Sequence, residues 1–87
     1  MISIEIGKNG CPMCNMLGKM LQQKNLTVTK QINLSEIGPE EMDKIISKYQ
    51  LRNLPVIVIE DCNGNITKIL KGNPKDICEE YSKIING

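Results

Sequence analysis

A change of apolar period near the amino terminus constrains this chain more than any other feature. Ile2, Ile4 and Ile6 alternate with Ser3 and Glu5, which is the period of two of a strand. From Met13 the apolar residues are Met13, Met16, Leu17, Met20 and Leu21. Those spacings put all five on one stripe of a helix, and Asn25 is placed to end it. Leu26, Val28 and Ile32 then share one parity, opposite Thr27, Thr29 and Gln31, with Lys30 interrupting the apolar positions. This reads as a second strand. A strand, a helix and a strand in that order form a βαβ crossover with a parallel pair.

The remaining segments follow the same grammar. Gly38-Pro39-Glu40-Glu41 opens a helix with acids in its first turn, where the helix dipole favours them, and Met42, Ile45, Ile46 and Tyr49 form its stripe. The β-branched run Val56-Ile57-Val58-Ile59 reads as a central strand buried on both faces. Asn63-Gly64 marks a hairpin, with Ile66 to Leu70 returning. Asn73-Pro74-Lys75-Asp76 has the form of an N-cap, a Pro at the first helical position and an acid in the first turn. Ile77, Tyr81, Ile84 and Ile85 give the last stripe. The expected order is β-α-β-α-β-β-α, an α/β arrangement of four mixed strands and three helices. No repeat or linker interrupts it, so residues 1–87 are expected to be a single domain.

Charge and composition narrow the function. Eleven Lys and Arg against ten Asp and Glu leave a net charge of +1, too little field to recruit nucleic acid. No apolar run is long enough to span a bilayer. Met1 to Ile6 has neither the basic head nor the long apolar stretch of a signal peptide, so a cytoplasmic location is expected. The chain has no His, Trp or Phe. Without His, Ser-His-Asp hydrolysis, Cys-His proteolysis and most catalytic zinc sites are excluded.

The four Cys carry the chemistry. Cys11-Pro12-Met13-Cys14 stands at the predicted start of the first helix. Thiols at i and i+3 there lie on one side of the first turn and are close enough to bridge. Cys11 falls at the N-cap, where free backbone N–H groups and the helix dipole favour an anion. Its thiolate is the expected nucleophile, and Lys8 adds positive charge nearby. Cys14, one turn further in, is expected to be the more buried and to act as the resolving thiol. Half of a zinc site is the competing reading. Its other half would have to be Cys62 and Cys78, which lack Cys-x-x-Cys spacing. Both are read as structural or incidental. The Met stripe is read as core, except that Met13, between the thiols, is expected at the rim of the site.

The four prolines divide into two kinds. Pro12, Pro39 and Pro74 each occupy a first helical position, where a missing N–H costs nothing. Pro55 opens the most buried strand instead, which a strand-initiating Pro can do without special role. A cis bond after Leu54 is the sharper alternative.

The chain resembles the glutaredoxins over nearly its whole length. Lys8-Asn9-Gly10-Cys11-Pro12-Met13-Cys14 is similar to the family's Lys-x-x-Cys-Pro-Tyr-Cys. Arg52-Asn53-Leu54-Pro55-Val56 is similar to its Arg-Thr-Val-Pro segment, and Gly72-Asn73-Pro74-Lys75-Asp76 to Gly-Gly-x-x-Asp. The resemblance implies a thioredoxin-like three-layer sandwich and a small dithiol-disulfide oxidoreductase. It implies that Pro55 is cis and shapes the substrate groove, and that backbone groups of Leu54 pair with the cysteinyl part of glutathione. It places Lys8 and Arg52 toward a glutathione carboxylate and Asp76 toward the γ-glutamyl ammonium. Pro12, Met13 and Asn73 would complete the substrate-binding set. No tightly bound cofactor or metal is expected. Glutathione is the expected co-substrate, disulfide-containing proteins the partners, and a monomer the working form.

The chain departs from the family pattern in Met13 for Tyr, in Asn53-Leu54 for Thr-Val, in Asn73 for the second Gly, where a Cβ would crowd the ligand, and in Pro74, which supplies no N–H at the helix start. Arg52-Asn53-Leu54-Pro55-Val56 also resembles the Arg-x-Leu-Pro-Val of small redoxins that are reduced by thioredoxin reductase and serve ribonucleotide reductase. Their Trp-Ser-Gly-Phe segment is absent. A metal or iron–sulfur cluster module is the alternative of another class. By resemblance, cluster-binding members more often lack the second Cys or the Pro between the thiols, and this chain has both.

Overall fold

The computed structural model describes residues 1–87. Its elements are β1 (Ile2–Gly7), α1 (Pro12–Gln23), β2 (Lys30–Asn33), α2 (Pro39–Tyr49), β3 (Val56–Glu60), β4 (Ile66–Leu70) and α3 (Pro74–Asn86). The sheet runs β2-β1-β3-β4. β1 and β2 are parallel, whereas β1–β3 and β3–β4 are antiparallel. The order β-α-β-α-β-β-α and the mixed four-stranded sheet are those read from the sequence.

Two apolar layers flank the sheet. On one face, Leu17 and Leu21 of α1 meet Ile57 and Ile59 of β3, Leu70 of β4, and Ile77, Cys78 and Tyr81 of α3. On the other, Ile4 and Ile6 of β1 meet Val56 and Val58 of β3, with Leu34 from the loop after β2 and Tyr49 of α2 closing over them. β3 alternates between the two layers, which is why its run is apolar without interruption. Each buried Ile or Leu contributes roughly 1.5–3 kcal/mol of burial free energy.

The second strand is shorter than the sequence pattern implies. β2 begins at Lys30, the residue that breaks the apolar parity. Leu26 and Val28 precede the strand and pack toward α1 and α3, while Ile32 packs on the opposite layer. Before β2, side chains stand in for the backbone ladder. The Ser3 amide donates to Thr29 Oγ1 at 3.1 Å, and the Thr29 amide donates to Ser3 Oγ at 3.0 Å. The Tyr81 hydroxyl donates to the Thr27 carbonyl, and Ser3 Oγ lies 2.8 Å from it. With the phenolic proton committed to Thr27, Ser3 donates to Tyr81. α3 is thus fastened to β1 and to the approach to β2.

All three helices begin at a Pro. In α1 the Met stripe is only partly core. Leu17 and Leu21 are buried and Met20 packs beside them, but Met16 is 52% exposed. Met16 precedes Leu17 by one residue, about 100° round the helix, which carries it off the buried face.

Candidate active site

The site is built where β1 runs into α1. Cys11 is the N-cap of α1, in extended conformation. Its Sγ accepts the Cys14 amide at 3.2 Å, which gives one unpaired N–H of the first turn a partner. Cys11 and Cys14 are joined in a disulfide, their Cα atoms 5.2 Å apart. The preceding loop carries Gly10 at φ +70°, left-handed backbone that favours Gly.

A polar clasp holds that loop. Asn33 Nδ2 donates to Asn9 Oδ1 at 2.8 Å, the Asn9 amide donates to Ser35 Oγ at 3.0 Å, and the Ser35 amide donates to Asn33 Oδ1 at 2.9 Å. The end of β2 therefore fixes the approach to Cys11.

Across from α1, the Leu54–Pro55 peptide bond is cis. Leu54 borders a cleft of about 850 Å³ that Lys8, Cys11, Pro12, Met13 and Arg52 also line. Six of the ten residues singled out from the sequence share this one cleft. Lys8 and Arg52 are its cations, while Met42, Ile46 and Leu51 add apolar wall. Met13 is 46% exposed, at the rim. Pro55 borders a second cleft, of about 480 Å³, with Lys8 and Cys14.

Asn73 and Asp76 stand apart, at the start of α3. The Asp76 amide donates to Asn73 Oδ1 at 2.9 Å, and Asn73 Nδ2 donates to Asp76 Oδ2 at 2.8 Å. Neither lines the Cys11 cleft. Cys62 is exposed by the β3–β4 turn and Cys78 is buried in the core, both as free thiols. No three His, Cys, Asp or Glu side chains come together as a metal-binding group, and no helix is long and apolar enough to cross a membrane.

The relative burial of the thiols reverses the expectation. Cys11 is buried, at 9% exposure, and Cys14 is only half-buried. Cys11 lines the same cleft as Pro12 and Leu54. Cys14 opens instead into the second cleft and into another of about 810 Å³ between α1 and the β2 edge.

Two neighbours of Cys14 escaped the sequence reading. A Cβ at Gly7 would meet Cys14 Sγ at 3.2 Å, so Gly7 leaves room for that sulfur. Glu5 lines both clefts that Cys14 lines. Burial raises the Glu5 carboxyl above its ordinary 4.5, opposed by the Gln31 amide, which donates to Oε1 at 3.1 Å. The available signal was the parity Ser3-Glu5-Gly7. On an inner strand that row also faces a packed layer, with Ser3 buried and Glu5 and Gly7 half-buried, and an acid in it is conspicuous.

The comparisons agree with this geometry. The glutaredoxin family model matches residues 6–62. Glutaredoxin (grx-1) from Archaeoglobus fulgidus superposes with a TM-score of 0.68 at 23% identity, covering 98% of this chain and 86% of that one. Thioredoxin from Aeropyrum pernix gives 0.67 at 17% identity, covering 95% and 73%. A Malassezia sympodialis thioredoxin gives 0.68 at 17%, covering 98% and 72%. At these identities the likeness is one of fold. No curated protein sequence matches the chain.

Proposed function

The chain belongs to the glutaredoxin family, and on that premise we propose that it reduces protein disulfides or glutathione mixed disulfides through Cys11 and Cys14. The observation that carries this reading is the Cys11–Cys14 bridge at the N-cap of α1, with Cys11 on the cleft that holds Lys8 and Arg52. In the reduced protein the helix N-terminus favours the Cys11 thiolate. That thiolate attacks one sulfur of a substrate disulfide, forming a mixed disulfide and expelling the other sulfur as a thiolate. Cys14 loses its proton and attacks Cys11 Sγ. The Cys11–substrate bond breaks, the Cys11–Cys14 bond forms, and the second substrate thiolate leaves and is protonated. Two electrons have passed from the dithiol to the substrate.

Glutathione restores the dithiol by the reverse exchange. Its carboxylates suit Lys8 and Arg52, and its cysteinyl backbone suits the free backbone groups of Leu54 beside Pro55. Pro12 and Met13 form the wall nearest the sulfur. Asp76, beside its cap partner Asn73, would receive the γ-glutamyl ammonium.

A second reading has one observation in its favour. Asn73 and Asp76 bond each other and lie outside the Cys11 cleft, whose apolar wall also suits a protein segment. A thioredoxin-reductase-dependent redoxin, donating for example to ribonucleotide reductase, would use the same thiols. Two NADPH-coupled assays separate the readings, one with glutathione and glutathione reductase, the other with thioredoxin reductase alone. Turnover in the first is the expected result. Turnover only in the second assigns the protein to the redoxin reading, and turnover in neither removes both donors.

A further inference from the structure

The start of α3 is closed on itself. Asn73 caps the helix in extended conformation, and both arms of its amide reach Asp76. Oδ1 accepts the Asp76 N–H at 2.9 Å, and Nδ2 donates to Asp76 Oδ2 at 2.8 Å. Pro74, between them in the chain, has no N–H to give. Of the first three helical positions only Lys75 therefore offers one. An anion arriving here finds one donor where an open helix start presents several. A cation arriving here finds a carboxylate already engaged. Neither ion pair of the molecule includes Asp76, so Asn73 is its one side-chain partner.

The direction in which the pair faces matters as much. Asp76 borders a cleft of about 410 Å³ against β4, where Lys71 and Lys83 also stand. Cys11 opens on the other cleft, which holds the two cations Lys8 and Arg52 and no acid. That cleft suits the carboxylate of a bound segment and offers nothing to an ammonium. The two ends of glutathione are thus served unequally. Its glycyl carboxylate has cations to meet, whereas its γ-glutamyl ammonium and carboxylate meet a self-capped helix. A cysteine within a peptide chain carries neither of these groups, because its amino and carboxyl ends are tied in peptide bonds.

We propose that Asn73 is a specificity-determining residue, which by occupying Asp76 turns the Cys11 site toward disulfides of peptide segments and away from those of γ-glutamyl thiols. The inference rests on the reading of Cys11 as the attacking thiol and deepens it by naming the substrate class. A γ-glutamyl ammonium reaches Asp76 only by displacing the Asn73 amide, so the bond it gains is offset by the bond Asn73 loses. A peptide segment leaves the cap intact.

The test compares two mixed disulfides of thionitrobenzoate, one with glutathione and one with N-acetylcysteinylglycine. The second keeps the glycyl end and the net charge but lacks the γ-glutamyl group. The reduced protein carries Cys62→Ser, so that the exposed thiol does not report. Attack of the Cys11 thiolate on the aliphatic sulfur forms the Cys11 mixed disulfide and breaks the old S–S bond. Its electron pair leaves on thionitrobenzoate, the better leaving group. The readout is the ratio of the two second-order rate constants for that release. In the parent the ratio should lie within about twofold of one. Asn73→Gly keeps a competent cap position and frees Asp76, and the ratio should rise about fivefold in favour of glutathione. Asn73→Ala frees Asp76 while keeping the Cβ, and should raise the ratio too. Adding Asp76→Asn to Asn73→Gly should return it to the parent value. A ratio unchanged in Asn73→Gly overturns the inference. So does a rise confined to Gly, which assigns the effect to the Cβ, or a rise that survives Asp76→Asn. A parent that releases thionitrobenzoate from neither disulfide faster than its Cys11→Ser variant removes the Cys11 reading, and the inference with it.

Discussion

Gly7 on β1 and the sulfur of Cys14 on α1 are closely fitted: a Cβ at the first would lie 3.2 Å from the second, a few tenths of an ångström too near. Neither the sheet nor the first turn of α1 can yield freely, because Gly7 is held in the β1–β2 ladder. Gly7→Ala should therefore displace Cys14 rather than Cys11. The expected cost is about 1 kcal/mol of stability, read as a lower melting temperature. The mixed disulfide at Cys11 should still form at the parent rate, while bridge closure slows. Equal slowing of both steps would contradict this division.

Glu5 trades stability for its position. Its carboxyl is raised above 4.5, chiefly by burial, so the folded chain holds this proton to higher pH than the unfolded chain does. Stability from this group is present below the unfolded value and is lost as pH rises through the folded one. Glu5→Gln carries no charge to bury. It should melt above the parent near neutral pH, and the two should converge as pH falls through the raised titration of the parent carboxyl. A parent that melts higher at neutral pH would show that the ionised carboxylate stabilises the fold.

Tyr81 is the pin between α3 and the start of the sheet. Tyr81→Phe keeps the buried ring but leaves the Thr27 carbonyl and the Ser3 hydroxyl each short of a partner. The expected loss is about 1–2 kcal/mol, measured by denaturant melts. The initial thiol reactivity of Cys11 should not change, because the network lies at the opposite end of β1. A loss of stability too small to measure would mean that water replaces the hydroxyl.

The elements were legible because each announces itself locally. The alternation of Ile2, Ile4 and Ile6, the unbroken Val56-Ile57-Val58-Ile59 and the Asn73-Pro74 start all match the structure. The extent of the second strand was not legible, because Leu26 and Val28 keep its parity while Ser3 and Thr29 replace the ladder with side-chain bonds. The Cys11–Cys14 pair was legible from spacing. The burial order of its thiols was not, since it depends on which clefts the tertiary packing opens beside each sulfur. Glu5 was hidden for a similar reason: only the placement of α1 puts it on the clefts that Cys14 lines.

The roles of the two thiols can be tested most directly by trapping the mixed disulfide. Reduced Cys11→Ser and Cys14→Ser variants, both in a Cys62→Ser background, would be mixed with oxidised glutathione and their intact masses measured. Cys14→Ser is expected to gain one glutathione, with peptide mapping placing it on Cys11. Cys11→Ser is expected to gain none on the same time scale. An adduct that forms on Cys14 as fast as on Cys11 would contradict the assignment of Cys11 as the attacking thiol.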